Sequence, residues 1–387
     1  MSWESISLSE ALRPLKSSPF TRDELNYSGG QYQNVHYGDI LVRFPSVVDA
    51  EKEGLPYVSD SAEGRCSRCS LLQNGDIIIA DTAEDEAVGK AIEIQGIKDQ
   101  KVVSGLHTMA FRPQEGIFAP GFLGYFLNSS AYHNQLLPLM QGIKVLSISK
   151  PAIGDTVIKY PSYKEQEKIV ESLSRVDAMI GALDEAIAKK RQIKEGLMQQ
   201  LLTGKTRLPG FSGEWLTVSL GSISQMYQPQ TITQDCLTIS GYPVYGANGI
   251  IGKYPYYNHT TDQVMVTCRG SSCGTVNYSV GNCWITGNAM VVNMDGYHVN
   301  KRFIFYVLVR SDLSSLITGS GQPQIVRTPL QRFEVFIPKS IEEQTAIAES
   351  LDSIEADIIS IESKREKYAL IKQGMMQELL TGKTRLV

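Results

Sequence analysis

Leu201-Leu202-Thr203-Gly204-Lys205-Thr206-Arg207-Leu208 returns 178 positions later, unchanged, as Leu379-Leu380-Thr381-Gly382-Lys383-Thr384-Arg385-Leu386. Reading backwards from each run, the match continues without a gap to Glu165 and Glu343, and about half of the paired residues are identical. Within the first copy, Ile169, Leu173, Val176, Ile180, Leu183 and Ile187 alternate steps of four and three; Ile347, Leu351, Ile354, Ile358 and Ile361 do so in the second. Sustained 3.5-residue spacing marks a coiled-coil seam. Each copy predicts a helix of roughly 40 residues, about 60 Å at 1.5 Å per residue. The favoured arrangement pairs the two helices antiparallel as a spacer; the other packs each separately on its own domain.

The ends of the helices carry matching signals. Ser162 with Glu165, and Ser340 with Glu343, have capping-box spacing, so each Ser is expected to accept from a backbone N–H and each Glu to reach back. Gly204 and Gly382 should stop the helices in the left-handed conformation. Gly196 and Gly374 interrupt them at equivalent places, at a cost of about 1 kcal/mol against alanine. Close approach of two backbones and a tolerated defect both account for them. Gly204-Lys205-Thr206 looks like the end of a P-loop, but Gln199 stands where the first glycine is needed, and Gln377 does so in the second copy.

The 387 residues suffice for two or three domains, and 42% hydrophobic with 20% charged content is ordinary for a globular protein. No apolar run reaches about 18 residues and the start lacks a signal peptide's pattern, so the expected compartment is the cytoplasm, with no membrane span. Cys66 and Cys69 form a C-x-x-C without a second close pair at zinc spacing, which favours reduced, unliganded thiols. The net charge of −4 means that any DNA affinity must come from local basic patches or from partners.

The regions before the helices echo each other only at their edges. Trp3, Ser7 and Leu8 match Trp215, Ser219 and Leu220; Gly142, Ile148 and Ile153 match Gly319, Ile325 and Leu330. Matching edges around unlike middles suggest one scaffold carrying two recognition surfaces. Asp76–Ala80 and Gly38–Val42 read as strands, Phe122–Leu127 and Phe303–Val309 as short helices. Candidate DNA contacts are Arg65, Arg68, Arg112 and Lys144 in the first region, and Tyr245, Asn248, Lys253, Arg269, Gln322, Gln324 and Arg327 in the second. Arginine pairs with guanine and glutamine with adenine through two hydrogen bonds, although each residue also suits an ordinary surface.

Taken with Pro161 before Glu165-Gln166, Pro338 before Glu343-Gln344, and the lead-in Pro209-Gly210-Phe211-Ser212-Gly213-Glu214-Trp215, these features resemble the specificity subunits of Type I restriction-modification enzymes over essentially the full length. Tyr242–Gly252 and Gly321–Ile325 resemble that family's target-recognition domains. The resemblance implies an α/β (α+β) fold of two globular target-recognition domains separated by two long antiparallel coiled-coil helices, pseudo-two-fold symmetric within one chain. The boundaries would be 1–160 and 206–338 for the domains, 161–205 and 339–387 for the spacer helices. It further implies a chain that performs no chemistry and reads a bipartite, asymmetric site in double-stranded DNA. Its partners would be two modification (methyltransferase) subunits and restriction/translocase subunits. They, not this chain, would bind S-adenosylmethionine, ATP and Mg2+. The absence of Asn-Pro-Pro-Tyr and of a P-loop agrees. A coiled-coil scaffold without DNA specificity is the competing reading. In the cyclic arrangement, Trp3 would continue what Leu386 leaves off, bringing the two ends of the chain together.

Overall fold

The computed structural model describes residues 3–319 and 321–386. Two compact units divide the chain: Met1–Leu183 with Lys364–Val387, and Asp184–Ser363. Among the described residues no helix is long and apolar enough to cross a membrane.

The first unit is built on a five-stranded sheet in the order Leu12–Pro14, Thr108–Pro113, Ile77–Ala80, Ala91–Gln95, Val47–Asp49, antiparallel except for the last pair. Ile77-Ile78-Ile79-Ala80 is buried throughout. The two-residue period of a strand sends Ile77 and Ile79 into one apolar cluster and Ile78 and Ala80 into another. The second unit repeats this frame with Gln225–Tyr227, Ala289–Asn293, Val264–Thr267 and Val276–Tyr278, all antiparallel. In each unit the first and last strands of the globular part pair antiparallel directly before a long helix: Glu4–Ser7 with Val157–Tyr160, and Trp215–Ser219 with Glu334–Pro338. The expected short helices are present as Phe122–Phe126 and Lys301–Arg310.

Gly38–Val42 is not a strand. His36 caps a helix, Tyr37–Val42, its Nδ1 accepting from the Gly38 amide at 3.1 Å, and the buried Asp39 is held by Arg22 at 2.9 and 3.0 Å. An apolar run of three residues carries no period strong enough to resist such a cap.

The long helices span Tyr163–Leu201 and Ile341–Leu379, and they pack together. Each unit shows them antiparallel. In the first, Asp177 meets Lys372 at 2.6 Å; in the second, Lys194 meets Glu355 at 2.6 Å and Lys190 meets Asp357 at 2.6 Å. Along the predicted seam, Ile169, Leu173, Ile347 and Leu351 are fully buried, and Leu183, Ile187 and Ile358 are nearly so. Each helix also ends in a globular core. Leu201 and Leu202 lie in the second unit's core, Leu379 and Leu380 in the first's. Each such leucine contributes on the order of 2 kcal/mol by burial.

Gly204 and Gly382 terminate the helices at φ +68° and +72°. Trp215 lies over Gly204, and Trp3 lies over Gly382 with ring atoms 3.1–3.4 Å from where a Cβ would stand. The described ends of the chain therefore meet, as the cyclic arrangement requires. A Cβ at Gly196 or Gly374 would meet nothing within 4 Å, so close backbone approach is not the reason for glycine there.

The capping boxes form only in part. Ser340 Oγ accepts from the Glu343 amide at 3.2 Å, whereas Glu165 N donates to the Ser162 carbonyl at 2.9 Å. Neither Glu reaches back to its cap, because a guanidinium takes both carboxylate oxygens. Arg385 binds Glu165 at 2.6 and 2.7 Å, and Arg207 binds Glu343 at 2.5 and 2.6 Å. A two-bonded, charged pair is stronger than a single amide hydrogen bond.

Candidate nucleic-acid interface

The side chains able to meet a nucleic acid stand on the frame that the two units share, and its hydrogen bonds show which positions correspond. In the first unit, Asp81 N donates to His107 O, Ile148 N donates to Asp81 O, and Gly89 N donates to Ala80 O. In the second, Cys268 N donates to Asn288 O, Ile325 N to Cys268 O, and Gly274 N to Thr267 O. Three segments thus converge at one edge of each sheet. The residue just past the central strand is Thr82 in one unit and Arg269 in the other. The residue before the neighbouring strand is His107 in one and Asn288 in the other.

The third segment is a tight loop. Gln141 bridges Ser147, and Thr318 bridges Gln324; Gly142 and Gly319 turn the chain at φ +126° and +87°. Ser147 then pairs with Thr82, and Gln324 with Arg269. The loop is pinned at its base and exposed at its tip.

In the second unit this edge gathers four of the candidates. Arg269, Gln322 and Gln324 are exposed there. Asn248 is exposed in the hairpin turn beside them, whose preceding residue, Ala247, accepts hydrogen bonds through its carbonyl from Thr267 and Asn277. Arg327 is exposed at the start of the helix Arg327–Arg332 that follows the loop. Lys253 is exposed further along the hairpin, opposite Pro243. Tyr245 faces inward: its side chain belongs to a buried cluster, and its hydroxyl accepts from the Val280 amide at 3.2 Å.

In the first unit the basic candidates part company. Lys144 stands exposed in the loop, and Arg68 is exposed at the end of a short turn of helix, Cys66–Arg68. Arg65 is held by Glu24 at 2.5 Å and by the Pro19 carbonyl at 3.2 Å, with its guanidinium over the Phe20 ring. That ion pair keeps Glu24 well below the ordinary carboxylate range, at about 2. Arg112 binds both oxygens of Asp76 at 2.8 Å and the Leu71 carbonyl at 3.1 Å; Asp76 is 1% exposed. These two arginines neutralise carboxylates of their own fold.

Sequence reading missed Thr82, His107 and Asn288. His107 and Asn288 are signalled by a turn ahead of an apolar strand, Gly105-Leu106-His107 and Thr286-Gly287-Asn288, and Thr82 only by its place after the run Ile77–Ala80. His107 adopts φ +50°, uncommon outside glycine. Its Nδ1 lies 3.3 Å from Asp81 Oδ1 and 3.3 Å from Thr82 Oγ1, and its ring meets Tyr37 edge-on at 5.2 Å. The Cys66 thiol is buried and pushed up to about 11 by that burial, so it disfavours the thiolate a metal would need. Among the described residues no group of three or more His, Cys, Asp or Glu could hold a metal ion.

Behind each edge, the globular part is fixed to its long helix by a second repeated device. Gln166 Oε1 accepts from the Ala119 amide at 2.9 Å, and its Nε2 donates to the Pro161 and Ile117 carbonyls at 3.0 Å. Gln344 Oε1 accepts from the Asn300 amide, and its Nε2 donates to the Pro338 carbonyl, both at 2.8 Å. The Glu-Gln pair at each helix start thus has a division of labour: Glu binds the tail of the opposite helix, Gln binds the domain.

Residues 212–371 match the model of the Type I restriction modification DNA specificity domain. The chain is similar to the specificity subunits of type I restriction enzymes. A protein named as the type I restriction enzyme MjaX specificity subunit of Methanocaldococcus jannaschii is 25% identical over 374 residues, covering 88% of this chain and 85% of its own length. The Escherichia coli type I restriction enzyme EcoprrI specificity subunit is 33% identical over 115 residues, 30% of this chain and 28% of its own. The crystal structure of the Type I S subunit from M. genitalium superimposes with a TM-score of 0.66 over 98% of this chain and 96% of its own, at 13% identity, which shows a shared fold. The matched domain and these relatives support a DNA sequence-recognition role for the chain; specificity subunits are non-catalytic parts of multi-subunit type I systems.

Proposed function

We propose that each unit reads one half of a bipartite, asymmetric duplex site, and that the paired long helices set the distance between the halves. Two modification subunits dock on this chain and methylate an adenine in each half, and restriction/translocase subunits join them. Those partners bind S-adenosylmethionine, ATP and Mg2+, and the complex works in the cytoplasm. A single observation carries this reading: the same hydrogen-bonded frame presents unlike side chains at matching positions, Arg269, Asn288 and Gln322 in one unit against Thr82, His107 and Val145 in the other. Equal frames fix equal approach to a duplex, and unlike side chains then select unlike base edges. A scaffold without DNA specificity would have no use for that difference. The test exchanges residues 210–338 for another domain of the family and maps methylated adenines made by the assembled complex. One half of the recognised sequence should change and the other stay; a change in both halves, or in neither, would refute the modular reading.

A further inference from the structure

The two edges correspond residue by residue, and the correspondence says more about the first half than its basic residues do. Along the loop, Val145 takes the place of Gln322 and Ser147 that of Gln324, counting from the paired glycines Gly142 and Gly319 and from the matching bridges. Val145 is 51% exposed, and its neighbour Ile143 is fully exposed. A small loop with turns anchored at both ends has no folding reason to hold two branched aliphatic side chains in water, where each forgoes the gain from burial. In the major groove the one apolar group on a base edge is the C5-methyl of thymine. Lys144 between them supplies a charge for the phosphate backbone.

We infer that the first unit reads its half-site through the loop Gly142–Leu146 together with Thr82 and His107, and that Ile143 and Val145 meet a thymine methyl. The inference rests on the proposed function and names the base that function leaves open. It moves recognition away from Arg65 and Arg112, which serve their own carboxylates. The two units then differ in kind: the second selects with paired hydrogen bonds from Arg269, Asn288 and Gln322, the first with an apolar tip.

The test uses the full complex with modification subunits and a duplex carrying its mapped site. Each thymine of the first half is replaced in turn by deoxyuridine, which lacks only the methyl group. One such replacement should weaken binding several-fold, and Ile143→Ala with Val145→Ala should remove that sensitivity. His107→Asn keeps a residue that tolerates the left-handed conformation and should relax selection about tenfold in the first half alone. Thermal unfolding at the unaltered temperature shows that the variants are folded. If no deoxyuridine in the first half matters, or if the variants keep the original methylation map, the assignment is overturned while the bipartite reading stands. If the unaltered complex methylates no defined sequence, both fall.

Discussion

Arg385 grips Glu165 from 220 residues away, its Nη2 2.6 Å and its Nε 2.7 Å from the two carboxylate oxygens. Arg207 holds Glu343 in the same way in the second unit. Glu165 and Glu343 are 3% and 1% exposed, so loss of the guanidinium leaves a buried carboxylate without its partner. Arg385→Ala should lower the unfolding temperature by on the order of 5 °C, and Arg207→Ala should do likewise. A calorimetric trace unchanged by either substitution would show that the pair carries no weight.

The hydrogen bond from Arg385, against the cost of burial, holds the Glu165 carboxyl below its ordinary value near 4.5. A group whose folded pKa is lowered contributes stability above its unfolded value and loses it as pH falls through the lowered one. Acidification from about pH 5 downward should therefore weaken the protein, and Glu165→Gln should be less sensitive over that window. Other paired carboxylates such as Glu24 titrate in acid too, so the quantity to measure is the difference between the two denaturant-unfolding profiles. Parallel profiles would reject the assignment.

Arg112 tests the separation of structure from recognition. Its removal strands Asp76, 1% exposed, and should cost about 3 kcal/mol of stability. The methylation map of the surviving folded complex should be unaltered. Lys144→Ala, in the exposed loop, should leave the urea midpoint in place and weaken DNA binding with a shallower dependence on salt. The reverse pattern would restore Arg112 as a DNA contact.

Gly196 and Gly374 lie within helices with open space where a Cβ would be. Alanine at either place should stabilise the protein by roughly 1 kcal/mol through helix propensity. A loss of stability, read from chemical denaturation, would reveal a constraint on these positions within the folded chain.

The long helices were legible because a 3.5-residue period repeated over many turns leaves few alternatives, and because glycine suits the left-handed stop at 204 and 382. The domain frame was not. Its two copies are 212 residues apart at Trp3 and Trp215, 187 at Ala80 and Thr267, 181 at His107 and Asn288, and 177 at Gly142 and Gly319. Loops of unequal length shift the register at each step, while backbone hydrogen bonds, indifferent to side-chain identity, keep the shape. The same indifference hid Thr82 and His107. Charge alone does not reveal which carboxylate an arginine will face, and Arg65 and Arg112 face Glu24 and Asp76. Nor does composition show that the segment around Tyr245 folds into a sheet that turns the ring inward.

The way each helix tail completes a distant core bears on how the protein is made. Leu379, Leu380 and Arg385 are translated after the whole of the second unit, yet they close the unit whose strands leave the ribosome before it. During synthesis the amino-terminal unit must wait with an apolar socket open, while the second unit holds all its parts once the second helix has been made as far as Ser363. The half encoded later should therefore finish folding earlier, and the codons for Leu379 to Arg385 should set the moment at which the first half becomes resistant to protease.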